Sequence, residues 1–178
     1  MHTYLREFEE GIAEAQRAIA LDPNDANSYR SMAWALIYAG RPKEALDFVQ
    51  KAMRLDPHYP AVYLLDLGLA NFHMEQFEEA ATFFERAFKR NPENYWSLML
   101  LAAAYGHLGR KQEATAAIEE LEKIGHMGEL SVERISGWPI STRYKEPSDK
   151  DRFLEGLRKA GLPETISIWD TLRKAEEK

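Results

Sequence analysis

The sequence predicts an all-α fold, a solenoid of stacked helix pairs closed by a helical tail. Three observations predict it. Pro23, Pro57 and Pro92, in LDP, LDP and NP, lie 34 and then 35 residues apart. Each proline ends one amphipathic run and precedes another. Within each period a turn signal divides two runs of helical spacing: Gly40-Arg41-Pro42, Glu75-Gln76 and Gly109-Arg110. Large apolar residues fall between the turns at helical spacing, as in Leu64, Leu67, Phe77, Phe84 and Phe88, then Leu98, Leu101, Tyr105 and Ile118.

A period of this length built from paired helices resembles the tetratricopeptide repeat (TPR), and the resemblance implies a right-handed α-solenoid of about three and a half repeats. With Pro57 at repeat position 32, the first repeat is ANSYRSMAWALIYAGRPKEALDFVQKAMRLDP from Ala26. The second is AVYLLDLGLANFHMEQFEEAATFFERAFKRNP from Ala61. The third, YWSLMLLAAAYGHLGRKQEATAAIEELEKI from Tyr95, has no closing proline. The family keeps positions 8, 20 and 27 small so that helices approach closely. Here they are Ala33, Ala45 and Ala52, then Gly68, Ala80 and Ala87, then Ala102, Ala114 and the departing Leu121. The resemblance covers residues 1–124: a partial repeat at 1–25 and repeats at 26–60, 61–94 and 95–124. Counting back from Pro23 makes residues 7–21 the second helix of an earlier repeat, with too few residues before it for a complete first helix. That helix is either a natural cap or the edge of a cut through a longer protein. Core-like Ile12, Ala15 and Ile19 favour the second reading, since terminal repeats carry a polar face.

After Ile124 the period breaks, and residues 125–178 form the tail. Gly125, Gly128, Gly137 and Pro139 punctuate it around a short predicted helix near 129–136. Ser148 is expected to open a second helix, with Asp151 at the capping-box position. That helix ends at Gly161 with Pro163 just beyond. Pro163 and Glu164 then suit the first turn of a last helix through Trp169 and Leu172.

Composition narrows the functional classes. The chain has 178 residues, is 45% hydrophobic and 29% charged, and lacks cysteine. Disulfides and thiolate metal sites are therefore excluded. No apolar run reaches the ~18 residues of a membrane span, and the N-terminus lacks a signal-peptide profile. The expectation is a cytoplasmic protein with no membrane association. Residues 1–124 carry 13 Lys and Arg against 19 Asp and Glu, while the tail carries 10 of each. An acidic solenoid argues against nucleic acid, whose backbone needs a basic stripe.

In the TPR family the first helix of each repeat lines a concave groove, mainly through positions 2, 5, 9, 12 and 13. The resemblance implies a partner-binding set of Asn27, Arg30, Trp34, Ile37 and Tyr38, then Leu65, Leu69, Phe72 and His73, then Trp96, Met99 and His107. Only Asn27 and Arg30 match the polar residues of carboxylate-clamp TPR proteins. The remaining apolar groove would be a large exposed patch if left open. A protein or peptide partner is expected there, or the chain's own C-terminal tail through Ile135, Trp138, Ile140, Tyr144, Phe153, Leu154 and Leu157. A homo-oligomer through the incomplete N-terminal repeat is a third possibility.

No catalytic residue, metal site or cofactor is expected. His73 and His107 both occupy position 13, but a zinc site wants four ligands, and no glycine-flanked serine elbow occurs. RFLEGLRKAGLPE at 152–164, preceded by Trp138-Pro139, Tyr144-Lys145 and Pro147-Ser148-Asp149, resembles the closing segment of TPR regions in bacterial adenylate/guanylate cyclases. Related segments also follow winged-helix regulators. The resemblance implies an accessory C-terminal region of a multidomain signalling protein, its catalytic domain lying outside this chain. The main expectation is an interaction or scaffolding module, with the cyclase accessory region as the alternative.

Overall fold

Short turns join the helices α1 (His2–Leu21), α2 (Ala26–Tyr38), α3 (Pro42–Leu55), α4 (Ala61–His73), α5 (Phe77–Arg90), α6 (Tyr95–Leu108) and α7 (Lys111–Lys123). After them come α8 (Val132–Ser136) and α9 (Pro147–Lys159). This computed structural model describes residues 2–124, 130–138 and 144–166, with side chains from Phe8 onward. Helices pack in sequence-adjacent pairs, α2 on α3, α4 on α5 and α6 on α7, and each pair stacks on the next. The described residues form an all-α, TPR-type solenoid.

Sequence accounts for the difference between the two helices of a pair. α3 and α5 carry charged residues on one face and bury Ala45, Val49 and Ala52, or Ala80, Phe84 and Ala87, on the other. α4 and α6 are apolar around most of their circumference and buried along most of their length, because neighbours pack on more than one side of them. The small positions are where space runs out. A Cβ added at Gly68 would lie 2.4 Å from the Phe84 ring. Ala33, Ala45, Ala52, Ala80 and Ala102 are fully buried. Leu121, the large departure, is also buried.

The four turns after α2, α4, α6 and α9 share one closure. Gly40 (φ 75°), Glu75 (φ 62°), Gly109 (φ 70°) and Gly161 (φ 99°) are left-handed. In each case the next amide reaches five residues back: Arg41 N to Leu36 O, 2.8 Å; Gln76 N, Arg110 N and Leu162 N to Asn71, Tyr105 and Leu157 O, 3.0 Å each. This is the Schellman stop that glycine permits. Glu75 adopts it without glycine, at a cost of about 1 kcal/mol.

Three expectations need correction. α1 is one continuous helix from His2 to Leu21 rather than a short remnant followed by a helix at 7–21. Nothing in HTYLREFEEG terminates a helix, and Gly11 in its interior costs only about 1 kcal/mol. α9 begins at Pro147, not after a Ser148 cap. Its N-cap, Glu146, makes no side-chain cap bond, because proline at the first turn presets the backbone. Pro163 and Glu164 do not open a helix. Their carbonyls accept from Val132 N at 2.9 Å and Glu133 N at 3.0 Å, satisfying the first turn of α8. Ile140, Trp169 and Leu172 lie outside the described residues.

Candidate functional site

Local sequence sets the first helices of the repeats in place. Asp25 caps α2, accepting from Asn27 N at 3.1 Å and Ser28 N at 2.9 Å, and Asn94 caps α6 through Trp96 N at 3.1 Å. The expected groove residues then fall into two groups. Ile37, Tyr38, Leu65, Leu69, Phe72, His73 and Met99 are buried, whereas Arg30, Trp34, Trp96 and His107 are half-buried and Asn27 is exposed. Trp34 packs its ring against Tyr38 at 4.6 Å. Arg30 is not free for a ligand carboxylate: its Nε donates to Asp66 Oδ2 at 2.8 Å, across the first and second repeats.

The tail meets position 13 of all three repeats in succession. Lys145 N donates to the Tyr38 carbonyl at 3.0 Å, and the Tyr144 ring lies 5.1 Å from the Tyr38 ring. Tyr144 also meets His73 edge-on at 5.0 Å, and Asp149 Oδ1 is 3.5 Å from His73 Nδ1. The Arg152 carbonyl lies 2.7 Å from His107 Nε2. A carbonyl only accepts, so this contact holds the proton on Nε2. The His107 ring stacks on Phe77 at 4.3 Å with planes 5° apart. His73 and His107 therefore face different partners, and among the described residues no group of three metal-ligating side chains occurs.

Glycine lets the helices come within backbone contact. A Cβ at Gly106 on α6 would lie 2.0 Å from Gly156 O, and one at Gly156 on α9 would lie 2.6 Å from Ala103 O. Phe153 enters this crossing fully buried, with its ring 5.6 Å from that of Trp96. Trp138 reaches the start of α6, edge-on to Tyr95 at 6.4 Å. Arg152 ties the rim: it bonds Asp149 at 2.5 Å within α9 and Glu75 at 3.0 Å in the α4–α5 turn. Ile135, Leu154 and Leu157 are buried as well.

The electrostatics follow from burial. Burial pushes the Asp66 carboxyl up to about 6, and Arg30 only partly pulls it back. Burial also acts to raise Asp149, but the bonds and charges of His73 and Arg152 outweigh it and leave that carboxyl below its usual range. Burial holds His107 below the ordinary imidazole value, partly offset by the Arg152 carbonyl. The Tyr144 phenol is pushed well up by burial. Two residues of this site escape sequence reasoning. Asp66 shows only as a single acid in AVYLLDLGLANF. Gly156 shows only as a glycine inside the amphipathic pattern of α9, a placement that signals close packing.

Comparison with known proteins agrees with the repeat fold. Tetratricopeptide repeat models match residues 14–47 and 71–127. Hsp70-Hsp90 organizing protein 3 of Arabidopsis thaliana is 23% identical over 118 residues, which is 66% of this chain and 21% of that protein. Tetratricopeptide repeat protein 6 of Homo sapiens is 36% identical over 62 residues, 35% of this chain and 12% of that protein. The chain thus spans about a fifth or less of the length of these relatives. Among solved structures, MamA superposes with a TM-score of 0.62 at 21% identity, covering 95% of this chain and 91% of its own. YrrB, described as a TPR protein with an unusual peptide-binding site, does so at 0.57 and 21% identity, covering 87% and 77%. With fold, repeat signature and superposition in agreement, this chain is a protein built on tetratricopeptide repeats.

Proposed function

We propose that the chain is a cytoplasmic protein–protein interaction module whose concave groove recognises a helix or peptide, and that its own tail is the resident ligand. One observation carries this reading: Tyr144, Asp149 and Arg152 contact Tyr38, His73 and His107, the same position in three consecutive repeats. Repeat proteins read an extended partner in this register, one contact per repeat. Relatives that carry organizing or peptide-binding descriptions support the same class. A partner acts by displacing α9 and taking over the apolar seat around Trp96, Met99 and Phe72.

The likeness to cyclase-associated segments fits inside this reading. Phe153, Leu154, Gly156, Leu157 and Leu162 of the 152–164 segment are all buried, as a helix that closes a TPR array requires. An accessory role beside a catalytic domain would use the same closure, with displacement of α9 as the signal.

The test is binding in trans. A chain ending at Ile124 is titrated with a synthetic peptide spanning residues 144–162 and followed by isothermal calorimetry. Saturable one-to-one binding is expected, and Trp96→Ala weakens it by about 2 kcal/mol, the loss typical of a buried aromatic anchor. A truncated chain that keeps its helicity yet does not bind the peptide contradicts the proposal. So does an affinity that Trp96→Ala leaves unchanged.

A further inference from the structure

The last turn and a half of α5 presents cations that the acidic solenoid leaves without an acidic partner. Arg86, Lys89 and Arg90 are spaced i, i+3 and i+4, so they share one side of the helix. Among the described residues none of the three forms an ion pair, whereas Arg30, Arg41, Arg110 and Arg152 each hold a carboxylate. Residues 1–124 offer 19 acidic side chains against 13 basic ones, so this lack of partners runs against the composition.

The three cations surround a built depression. With Tyr59 and Leu64 they line a pocket of about 310 Å³. Its floor is apolar and held in place. The Tyr59 ring stacks on Tyr63 at 5.9 Å with planes 9° apart. Arg90 lies over the Tyr59 ring at 4.8 Å and donates to the Tyr59 carbonyl at 2.9 Å. Arg86 rests against the Phe83 ring at 5.6 Å. Arginines fixed on aromatic faces lose less freedom when they take a carboxylate, and they present paired donors to it. Beside the pocket, Pro60 caps α4 without a side-chain acceptor, so the positive end of that helix is not neutralised there.

A merely solvated basic face needs no apolar floor, and a nucleic-acid surface needs a longer run of cations than three. An apolar floor inside a cationic rim matches an apolar side chain flanked by carboxylates. We propose that the pocket of Tyr59, Leu64, Arg86, Lys89 and Arg90 binds a short acidic peptide segment, seating one apolar side chain on Tyr59 and Leu64 and the neighbouring carboxylates on the three cations. The site shares no residue with the concave groove, so it stands whether or not α9 is displaced there.

The test uses the full isotope-labelled chain and three probes: the acetylated, amidated peptide Glu-Glu-Leu-Glu-Glu, its counterpart with Gln in place of each Glu, and inorganic phosphate. The acidic peptide is expected to shift amides near Tyr59–Leu64 and Arg86–Arg90, with an affinity that falls as salt is raised. Arg86→Glu with Lys89→Glu should weaken it about tenfold or more, with the circular dichroism spectrum confirming that the fold is kept. The single change Leu64→Ala should weaken the peptide but leave any phosphate response alone. The proposal is overturned if the Gln peptide binds as well, if the charge reversals have no effect, or if phosphate shifts the same amides with equal affinity. Shifts confined to other residues overturn it too.

Discussion

Asp66 is a carboxylate inside an apolar helix, with its side chain 4% exposed and one counter-charge, Arg30, at 2.8 Å. Burial raises its folded pKa from 3.8 to about 6. A folded pKa above the unfolded one contributes stability that is complete below the unfolded value and is lost as pH rises through the folded value. Ionised Asp66 therefore costs the fold on the order of 3 kcal/mol at neutral pH. From this residue, stability should rise as pH is lowered from neutral toward the mid-acid range. Asp66→Asn should flatten that segment of the profile, as read from urea midpoints across a pH series. Arg30→Met should cost about 2 kcal/mol at neutral pH by leaving the buried charge unpaired, and distinctly less once Asp66 is protonated. A profile that Asp66→Asn leaves unchanged contradicts this account of the pair.

At the scale of elements, the α6–α9 crossing depends on two glycines. Gly156→Ala places a methyl 2.6 Å from Ala103 O and 2.9 Å from the His107 ring. Backbone cannot yield as a flexible side chain can, so α9 must lift, at a cost of about 2 kcal/mol. Limited trypsin digestion should then cut within α9, at Arg152, Arg158 or Lys159, much faster than in the native chain, while α2–α5 stay resistant. Equal resistance of α9 in the two proteins contradicts a backbone-limited seat. The same crossing shows what was legible beforehand. The 34-residue period, the small positions such as Ala45 and Ala80, and the stops at Gly40, Gly109 and Gly161 follow from local chemistry, and sequence reading finds them. Pro163 and Glu164 look like a helix start locally, yet their carbonyls serve the first turn of α8, some thirty residues earlier in the chain. Arg30 reads as a groove cation because its partner Asp66 lies 36 residues away. Sequence puts Tyr38, His73 and His107 at one repeat position, but not that Tyr144, Asp149 and Arg152 meet them in register, since that depends on the path of the tail.

For the whole molecule, α6 is the first helix of the third repeat, and the side of it that carries Trp96, Ala103, Gly106 and His107 is covered by α9. α9 packs along α6 and reaches Glu75 and His73 through Arg152 and Asp149, while Tyr144 and Lys145, just before it, meet Tyr38. On the proposed reading, closure of the array end and occupation of the groove are one structural event. A partner that competes for Tyr38, His73 and His107 must also uncover α6. Hydrogen exchange on the full chain and on a chain ending at Ile124 tests this most directly, read at Val62–Phe72 and Trp96–Tyr105. Loss of protection in both stretches on truncation, with α3 and α5 still protected, is the predicted result. Unchanged exchange in those stretches would contradict the claim that the tail covers the groove.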